Sequence, residues 1–302
     1  MIGPAIPLGP TRDGVGESPV WDANAGRLLW VDITGRMLRE IDPAGGASRS
    51  WATDDFPTAV ALVGPGRVAL TLAGSVAILD LRSGALAPLA SPEGHDPLMR
   101  LNEGRCDPSG QLWVSSMETN LTPEGQPRVT GPARGRLWRI GPDGEATAMA
   151  DVPPLDIPNA MAWSPDGWTF HLADTVLNVI WAFDVDGGSG TLSRRRVFHE
   201  GGPGLPDGAC MDADGHLWSA RFGGGCLLRL DPEGRVEREV ALPVTNPTAC
   251  TFGGDRLSTL YVTSARFGLS EAALAANPLE GALLAIETTV AGLPEPSVRL
   301  TA

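Results

Sequence analysis

The chain has 302 residues, of which 42% are hydrophobic and 20% are charged, so it has ample apolar content for a large buried core. Its formal net charge of -13 argues against a nucleic-acid partner, because a phosphate backbone binds to a basic surface. No apolar run approaches the roughly 18 residues of a membrane span, so we expect no membrane partner.

The first fourteen residues, MIGPAIPLGPTRDG, place prolines and glycines where a secretory signal needs a continuous apolar stretch. The sequence contains no HExxH motif, GxSxG nucleophile elbow, Walker loop or GxGxxG segment after a strand, which disfavours several common chemistries. The four cysteines show no CxxC spacing and are typical of reduced, buried thiols, which predicts a cytoplasmic protein. They are Cys106, Cys210, Cys226 and Cys250.

Short apolar or β-branched runs, separated by clusters of Gly, Pro, Asp and Asn, predict β-strands along most of the chain. The DPSG, SPDG, DADG and DPEG segments between them have the order of residues that suits type I turns in hairpins. One short helix is expected within residues 269–281. In chain order, the clearest strands are RLLWVDI (27–33), RVALTL (67–72), QLWVSSM (111–117), HLWSARF (216–222) and TLYVTSA (259–265).

A strand–turn–strand unit recurs six times, and each copy begins with a polar residue that precedes an apolar run. We call these first residues the repeat positions; they are Glu17, Thr58, Asn102, Asn159, Asp207 and Thr248. Successive repeat positions are 41, 44, 57, 48 and 41 residues apart, which leaves room for about four short strands, the content of one propeller blade. The sequence therefore predicts an all-β fold, a single six-bladed β-propeller over residues 1–302, rather than a β-sandwich or a two-domain β protein.

Every repeat position carries a side-chain oxygen, and propeller symmetry would bring all six into a ring near one mouth of the central channel. Two carboxylates converging there would repel each other unless a cation lay between them. Carboxylate and amide oxygens suit Ca²⁺, Mg²⁺ or Mn²⁺, while Zn²⁺ or Fe(II) are alternatives. We therefore expect one divalent metal ion in the channel, whose identity the sequence leaves open. The alternative is that these residues only cap strands and turns.

Arg100 lies two residues before Asn102, and alternation along a strand would place both side chains on one face. We expect them to point into the mouth together, where an arginine could hold substrate hydroxyls or a developing oxyanion. The alternative is a solvated surface arginine.

Five segments carry a resemblance to a known family, in family order from about residue 14 to 290. They are GESPVWD (16–22), RLNEGRCDPSG (100–110), NAMAWSPDG (159–167), PDGACMDADGHLW (206–218) and CTFGGDRLSTLYVTSAR (250–266). Together they resemble the senescence marker protein/gluconolactonase (regucalcin-like) family of six-bladed propellers.

The resemblance implies a divalent metal held by Glu17, Asn159 and Asp207, and sugar-lactone contacts from Arg100 and Asn102. It also implies a carboxylic-ester hydrolase that opens a five- or six-membered aldonolactone to the sugar acid, with a small sugar lactone as its partner. Asp207 would be both a metal ligand and the base that deprotonates the attacking water. Two alternatives stay open: a hydrolase of other lactones or organophosphates, and a calcium-binding or regulatory propeller without catalysis.

Two features of the chain depart from the family pattern or leave it undecided. The family often has glycine after the metal-binding asparagine, where this chain has Ala160. A further glutamate contact to substrate in the family could correspond to Glu118 or, in ungapped register, to Asn120. The inserted segment 118–135 is expected to form a lid or rim loop that sets substrate size.

Overall fold

The computed structural model describes residues 2–94 and 96–301, and six four-stranded antiparallel sheets account for its strands. The strands are numbered in chain order. Blade 1 contains β2 (Gly16–Asp22), β3 (Arg27–Asp32), β4 (Met37–Ile41) and β5 (Ser48–Ala52); blade 2 contains β6 (Pro57–Gly64), β7 (Arg67–Leu72), β8 (Val76–Asp80) and β9 (Leu86–Ala90); blade 3 contains β10 (Met99–Cys106), β11 (Leu112–Glu118), β12 (Leu137–Ile140) and β13 (Ala146–Ala148).

Blade 4 contains β14 (Pro158–Trp163), β15 (Thr169–Asp174), β16 (Val179–Val185) and β17 (Leu192–Glu200); blade 5 contains β18 (Leu205–Met211), β19 (Leu217–Phe222), β20 (Cys226–Leu230) and β21 (Val236–Ala241); blade 6 contains β22 (Pro247–Gly253), β23 (Thr259–Ser264), β24 (Leu284–Glu287) and β1 (Ile6–Pro7).

The innermost strand of each blade contacts the innermost strands of both neighbouring blades, which closes a ring around the channel. These strands are buried on both faces: every residue of β14 and of β22 is buried. Burial on both faces explains why apolar residues follow one another without alternation in β14, over residues 160–163. The outermost strands are largely exposed, as β21 shows. The predicted six-bladed propeller is confirmed, with all six repeat positions on innermost strands.

The turn aspartates of the repeat have a structural role. Asp107 and Asp212 each accept a hydrogen bond from an indole nitrogen in the next strand, Trp113 and Trp218 respectively, both at 2.9 Å. Both tryptophans are fully buried, so these bonds satisfy indole N–H groups that would otherwise lie unpaired in the blade. These turn aspartates therefore stabilise the hairpins of their blades and do not line the cavity at the repeat positions.

Blade 6 is completed by the beginning of the chain, which the repeat did not predict. The two-residue strand β1 pairs with β24 as the outermost strand of that blade, and the amide of Leu8 donates to the carbonyl of Leu283 at 2.8 Å. The ring is thus closed by a sheet made from both ends of the chain.

The predicted short helix is present as α1 (Glu271–Ala276), and the Ser270 side chain caps its first turn by accepting from the amide of Ala273. After β24 the chain crosses the end of the channel away from the repeat positions, where it bonds Leu257, Leu62 and Pro142 in turn. Within the described residues no helix is long and apolar enough to span a membrane.

Candidate active site at one mouth of the channel

A cavity of about 310 Å³ opens where the innermost strands begin. Thr248 does not line it; its hydroxyl instead bonds the carbonyl of Gly16 and lies 2.9 Å from the Thr263 hydroxyl, so it supports the strand that carries Glu17. The predicted ring therefore has five members facing the cavity rather than six. These five, joined by Arg100, are Glu17, Thr58, Asn102, Asn159 and Asp207.

A β-bulge turns each innermost strand at its repeat position. In all six strands the pairing register shifts at or directly beside that residue, which re-aims its side chain. Ser18 and Ala160, which follow two of the repeat positions, have left-handed backbones with φ of 49° and 54°. Glycine adopts this conformation without strain, which explains why it suits the position that Ala160 occupies here.

Two buried carboxyl groups meet in the cavity. Burial raises the pKa of Glu17 and of Asp207 well above the usual carboxyl range. The negative charge of Asp207 and then that of Glu103 raise the pKa of Glu17 further, and Glu103 does the same to Asp207. Nearby Arg100 counteracts only part of this effect at Asp207. The site therefore brings together more carboxyl groups than its one arginine can stabilise in the ionised form.

Glu103 is a third cavity carboxylate, and sequence reasoning missed it. It is 8% exposed, lines the same cavity, and burial raises its pKa to about 7. Regular alternation would place it on the face opposite Asn102. The register shift between Leu101 and Gly104 removes that alternation, so adjacent residues both reach the channel.

A chain of hydrogen bonds orients the two amides of the site. Arg100 Nη1 donates to Asn102 Oδ1 at 2.8 Å, and Asn102 Nδ2 donates to Asn159 Oδ1 at 3.0 Å. Asn159 Nδ2 then donates to the hydroxyl of Thr175 at 2.9 Å, and that hydroxyl donates to the carbonyl of Pro206 at 2.7 Å. The carbonyl of Pro206 can only accept, so the single hydroxyl proton of Thr175 is donated to it. The Thr175 oxygen must then accept its second hydrogen bond, and the group that donates to it is the NH₂ group of Asn159. Asn159 therefore turns its oxygen away from Thr175 and towards Asn102.

The structure distinguishes the two candidates left open in the inserted segment. Asn120 lines the cavity, and its Oδ1 accepts from Nε and Nη2 of Arg100 at 3.2 and 3.0 Å. Glu118 instead lies 3.5 Å from Arg128 and accepts from the amide of Gly131. Asn120, not Glu118, is thus placed to contact a ligand. Burial lowers the pKa of Arg100 to about 10, while the Glu17 and Asp207 carboxylates oppose that shift.

The donor atoms of this site fit a hard divalent cation. In the part of the chain that the structure describes, no cluster of three or more His, Cys, Asp or Glu side chains is arranged for a metal. The candidate set is therefore mixed, with carboxylates from Glu17 and Asp207 and an amide oxygen from Asn159. Oxygen donors of this kind suit Ca²⁺, Mg²⁺ or Mn²⁺, and a cation would offset the repulsion between the two buried carboxyl groups.

A second cavity, of about 300 Å³, lies at the opposite end of the channel. Its basic residue, Arg105, is paired with Glu295 at 3.1 Å and also donates to the carbonyl of Ala209. Its charge is thus compensated within the protein. This cavity has no counterpart of the converging carboxylates and amides at the first mouth.

A family model described as "SMP-30/Gluconolactonase/LRE-like region" matches residues 15–266. The chain belongs to this family. Regucalcin of Gallus gallus is 35% identical to it over 291 residues, which is 95% of each chain. The 6-deoxy-6-sulfogluconolactonase of Pseudomonas putida is 36% identical over 286 residues, covering 93% of this chain and 94% of the relative.

A solved structure has the same fold over nearly its whole length. The crystal structure described as a calcium-binding protein, regucalcin, from Agrobacterium tumefaciens strain C58 matches with a TM-score of 0.91 at 30% identity, covering 99% of this chain and 98% of that one. The predicted family is confirmed, and the predicted enzyme class, a carboxylic-ester hydrolase of the sugar lactonase type, is confirmed at the level of the family.

Proposed function

We propose that this protein is a metal-dependent hydrolase that opens a sugar lactone, such as gluconolactone or a pentonolactone, to the sugar acid. The observation that carries the proposal is the convergence of Glu17, Asn159 and Asp207 in one buried cavity beside Arg100 and Asn102. A relative with nearly full coverage, named as a gluconolactonase of a sulfonated sugar, supports the substrate class.

Glu17, Asn159 and Asp207 would hold the cation, which would polarise the lactone carbonyl and lower the pKa of water. Asp207 accepts the proton of the attacking water as the water oxygen bonds to the carbonyl carbon. The ring C–O bond then breaks, and the same proton returns to the departing alkoxide. Asn102 binds ring hydroxyls, and Arg100 fixes Asn102 and provides positive charge beside the developing oxyanion.

Replacement of Asp207 tests this assignment. Asp207→Asn keeps the size and an oxygen donor but removes the base, so we expect kcat for gluconolactone to fall by at least about 100-fold. Asp231→Asn, in an exposed hairpin turn of the same blade, is the matched control and should leave kcat unchanged. Turnover by Asp207→Asn near the wild-type rate would contradict the role of Asp207.

The metal is tested on protein treated with a chelator and dialysed. We expect lactone hydrolysis to be lost and then restored by adding back one ion at a time from Ca²⁺, Zn²⁺, Mn²⁺, Mg²⁺ and Fe(II). Full activity of the chelator-treated protein would exclude metal dependence.

A second candidate function is a calcium-binding propeller without catalysis, which the regucalcin relatives favour. In that case Ca²⁺ would raise the thermal unfolding midpoint while no sugar lactone, other lactone or organophosphate was hydrolysed.

We also propose that the protein is cytoplasmic. The four free, buried cysteines support this location, because a reducing compartment keeps thiols unpaired.

A further inference from the structure

The cavity has a second layer of side chains above the repeat positions. We call the residues two positions before each repeat position the upper layer. Those of them that line the cavity lie about 7 Å nearer the mouth than the repeat positions, since an extended chain rises about 3.3 Å per residue. Three of the four that line the cavity are apolar; the four are Val15, Arg100, Ile157 and Leu205.

Apolar residues from other segments complete this wall. Ile33 and Phe222 lie at the ends of the second strands of their blades, and Leu121 comes from the inserted segment. Leu121 is only 6% exposed and packs in one hydrophobic cluster with Ile33 and, at its edge, Val15 and Phe267. The inserted segment is thus docked against the mouth and presents an apolar side chain to the cavity.

The upper layer offers a ligand one positive charge, that of Arg100, and most of the N–H groups of this arginine are already bonded within the protein. Arg100 is the only basic residue among those that line the cavity. Its guanidinium donates to Leu101 O and Asn102 Oδ1 through Nη1, and to Asn120 Oδ1 through Nε and Nη2. Deeper in the cavity lie the three carboxyl groups of Glu17, Glu103 and Asp207. A ligand that carries a sulfonate or another anionic group would therefore place it near carboxyl groups. The one arginine there already donates hydrogen bonds within the protein.

We propose that the site selects lactones whose ring-distal end is uncharged and apolar, such as 6-deoxyhexonolactones. This inference rests on the proposed function, because it places the lactone carbonyl at the repeat positions and the exocyclic carbons against the upper layer. A methyl end would pack on Ile157 and Leu205, whereas a hydroxymethyl end placed against these two side chains would lose water contacts and gain no polar partner from them. A sulfonate would be disfavoured more strongly, which would separate this protein from the Pseudomonas putida relative by substrate.

A matched series of substrates tests the proposal. The three substrates would be hexono-1,4-lactones that differ only at C6, the end of the exocyclic chain, which would be CH₃, CH₂OH or CH₂SO₃⁻. We would measure kcat/KM for each. We expect the methyl compound to exceed the hydroxymethyl compound by about 10-fold, a step typical of small apolar discriminations, and the sulfonate to be the poorest. Calorimetric binding of the corresponding lactams, which are not hydrolysed, should give the same order.

Variants of the wall locate the selectivity. Leu205→Thr and Ile157→Thr should each lower the ratio of methyl to hydroxymethyl kcat/KM by at least about threefold, since each adds a polar partner. Leu205 is 38% exposed, so its replacement should leave the fold intact. Val236→Thr on the outer strand β21, 49% exposed, makes the same change away from the cavity and should leave the ratio unchanged.

The outcomes separate this inference from the function on which it rests. Lactone turnover with equal or better use of the hydroxymethyl or sulfonate compound would overturn the inference and leave the lactonase proposal standing. Absence of turnover, with the lactams bound in the expected order, would overturn the lactonase proposal and support the selectivity of the wall. Lactams bound without preference would overturn the inference whatever the turnover.

Discussion

The orientation of a single amide decides what the site offers to a cation. Asn159 could present either its oxygen or its NH₂ group to the cavity, and the hydrogen bond that Thr175 donates to Pro206 determines which. Because its proton is donated to Pro206, the threonine oxygen accepts from the NH₂ group of Asn159. The amide oxygen of Asn159 then accepts from Asn102 Nδ2 and keeps a second lone pair for a ligand. Thr175 is therefore a positioning residue, since it acts through Asn159.

Thr175→Val keeps the shape but removes the hydroxyl, so Asn159 loses the contact that fixes its orientation. We expect the affinity of the metal-free protein for Mn²⁺ to fall by about 10- to 100-fold, as is typical when a partner of a metal ligand is removed. Thr175→Ser should restore it. Titration calorimetry gives the dissociation constants, and the unfolding midpoint of each metal-free variant shows whether the fold is intact. Equal Mn²⁺ affinity in a folded Thr175→Val protein would contradict this role.

At the scale of a strand, the β-bulge at each repeat position changes the direction of that side chain relative to the central channel. Neighbouring innermost strands also contact each other, and they approach closely beside Asp207. A Cβ on Gly208 would lie 2.4 Å from the Cβ and 2.9 Å from the Cα of Ala249, with no flexible side chain to yield. The glycine is needed here for space rather than for its backbone conformation.

Gly208→Ala should accordingly lower the free energy of unfolding by about 1–3 kcal/mol, the usual cost of overpacking. Gly188→Ala is the matched control, because a Cβ there would meet only Asp186 Oδ1 at 3.5 Å in an exposed turn. Urea denaturation of both variants measures the difference. A Gly208→Ala protein as stable as Gly188→Ala would show that the two innermost strands can separate at little cost.

At the scale of the whole molecule, we expect the stability of the ring to depend on a complete last blade. Blade 6 has three strands from the end of the chain and receives the fourth, β1, from the beginning. Ile2 and Ala5 pack against the hydrophobic cluster that contains Leu284 and Ile286. Without this segment the edge of β24 would be exposed and that cluster partly uncovered.

Deletion of residues 2–8 should therefore lower the thermal unfolding midpoint by about 5 °C or more and promote association through the exposed strand edge. Ile6→Thr is the control, since Ile6 is 57% exposed and contributes mainly its backbone. Calorimetry and size-exclusion chromatography give the two readouts. An unchanged midpoint after the deletion would mean that blade 6 is stable with three strands.

Sequence alone was enough to predict the six blades and the six repeat positions, because a repeat places equivalent residues at equivalent points of a symmetric ring. The choice of Glu17, Asn159 and Asp207 among those positions as candidate ligands came from the resemblance to the SMP-30/gluconolactonase family. A local sequence pattern is enough to predict where a residue lies when every blade places its repeat position in the same way. Departures from that rule were decided by the tertiary structure alone. Glu103 reaches the cavity because a bulge cancels strand alternation, and Thr248 turns away because Gly16 of the next blade offers it a carbonyl.

Long-range contacts decided the remainder. Asn120 rather than Glu118 reaches the cavity because Arg100, from the neighbouring strand, holds it there. Thr175 and β1 act on partners 31 and nearly 280 residues away, Pro206 and Leu284, and no sequence pattern links such pairs. Periodicity specifies which face of a strand a residue occupies, whereas the atom that it meets across the ring depends on how the blades pack.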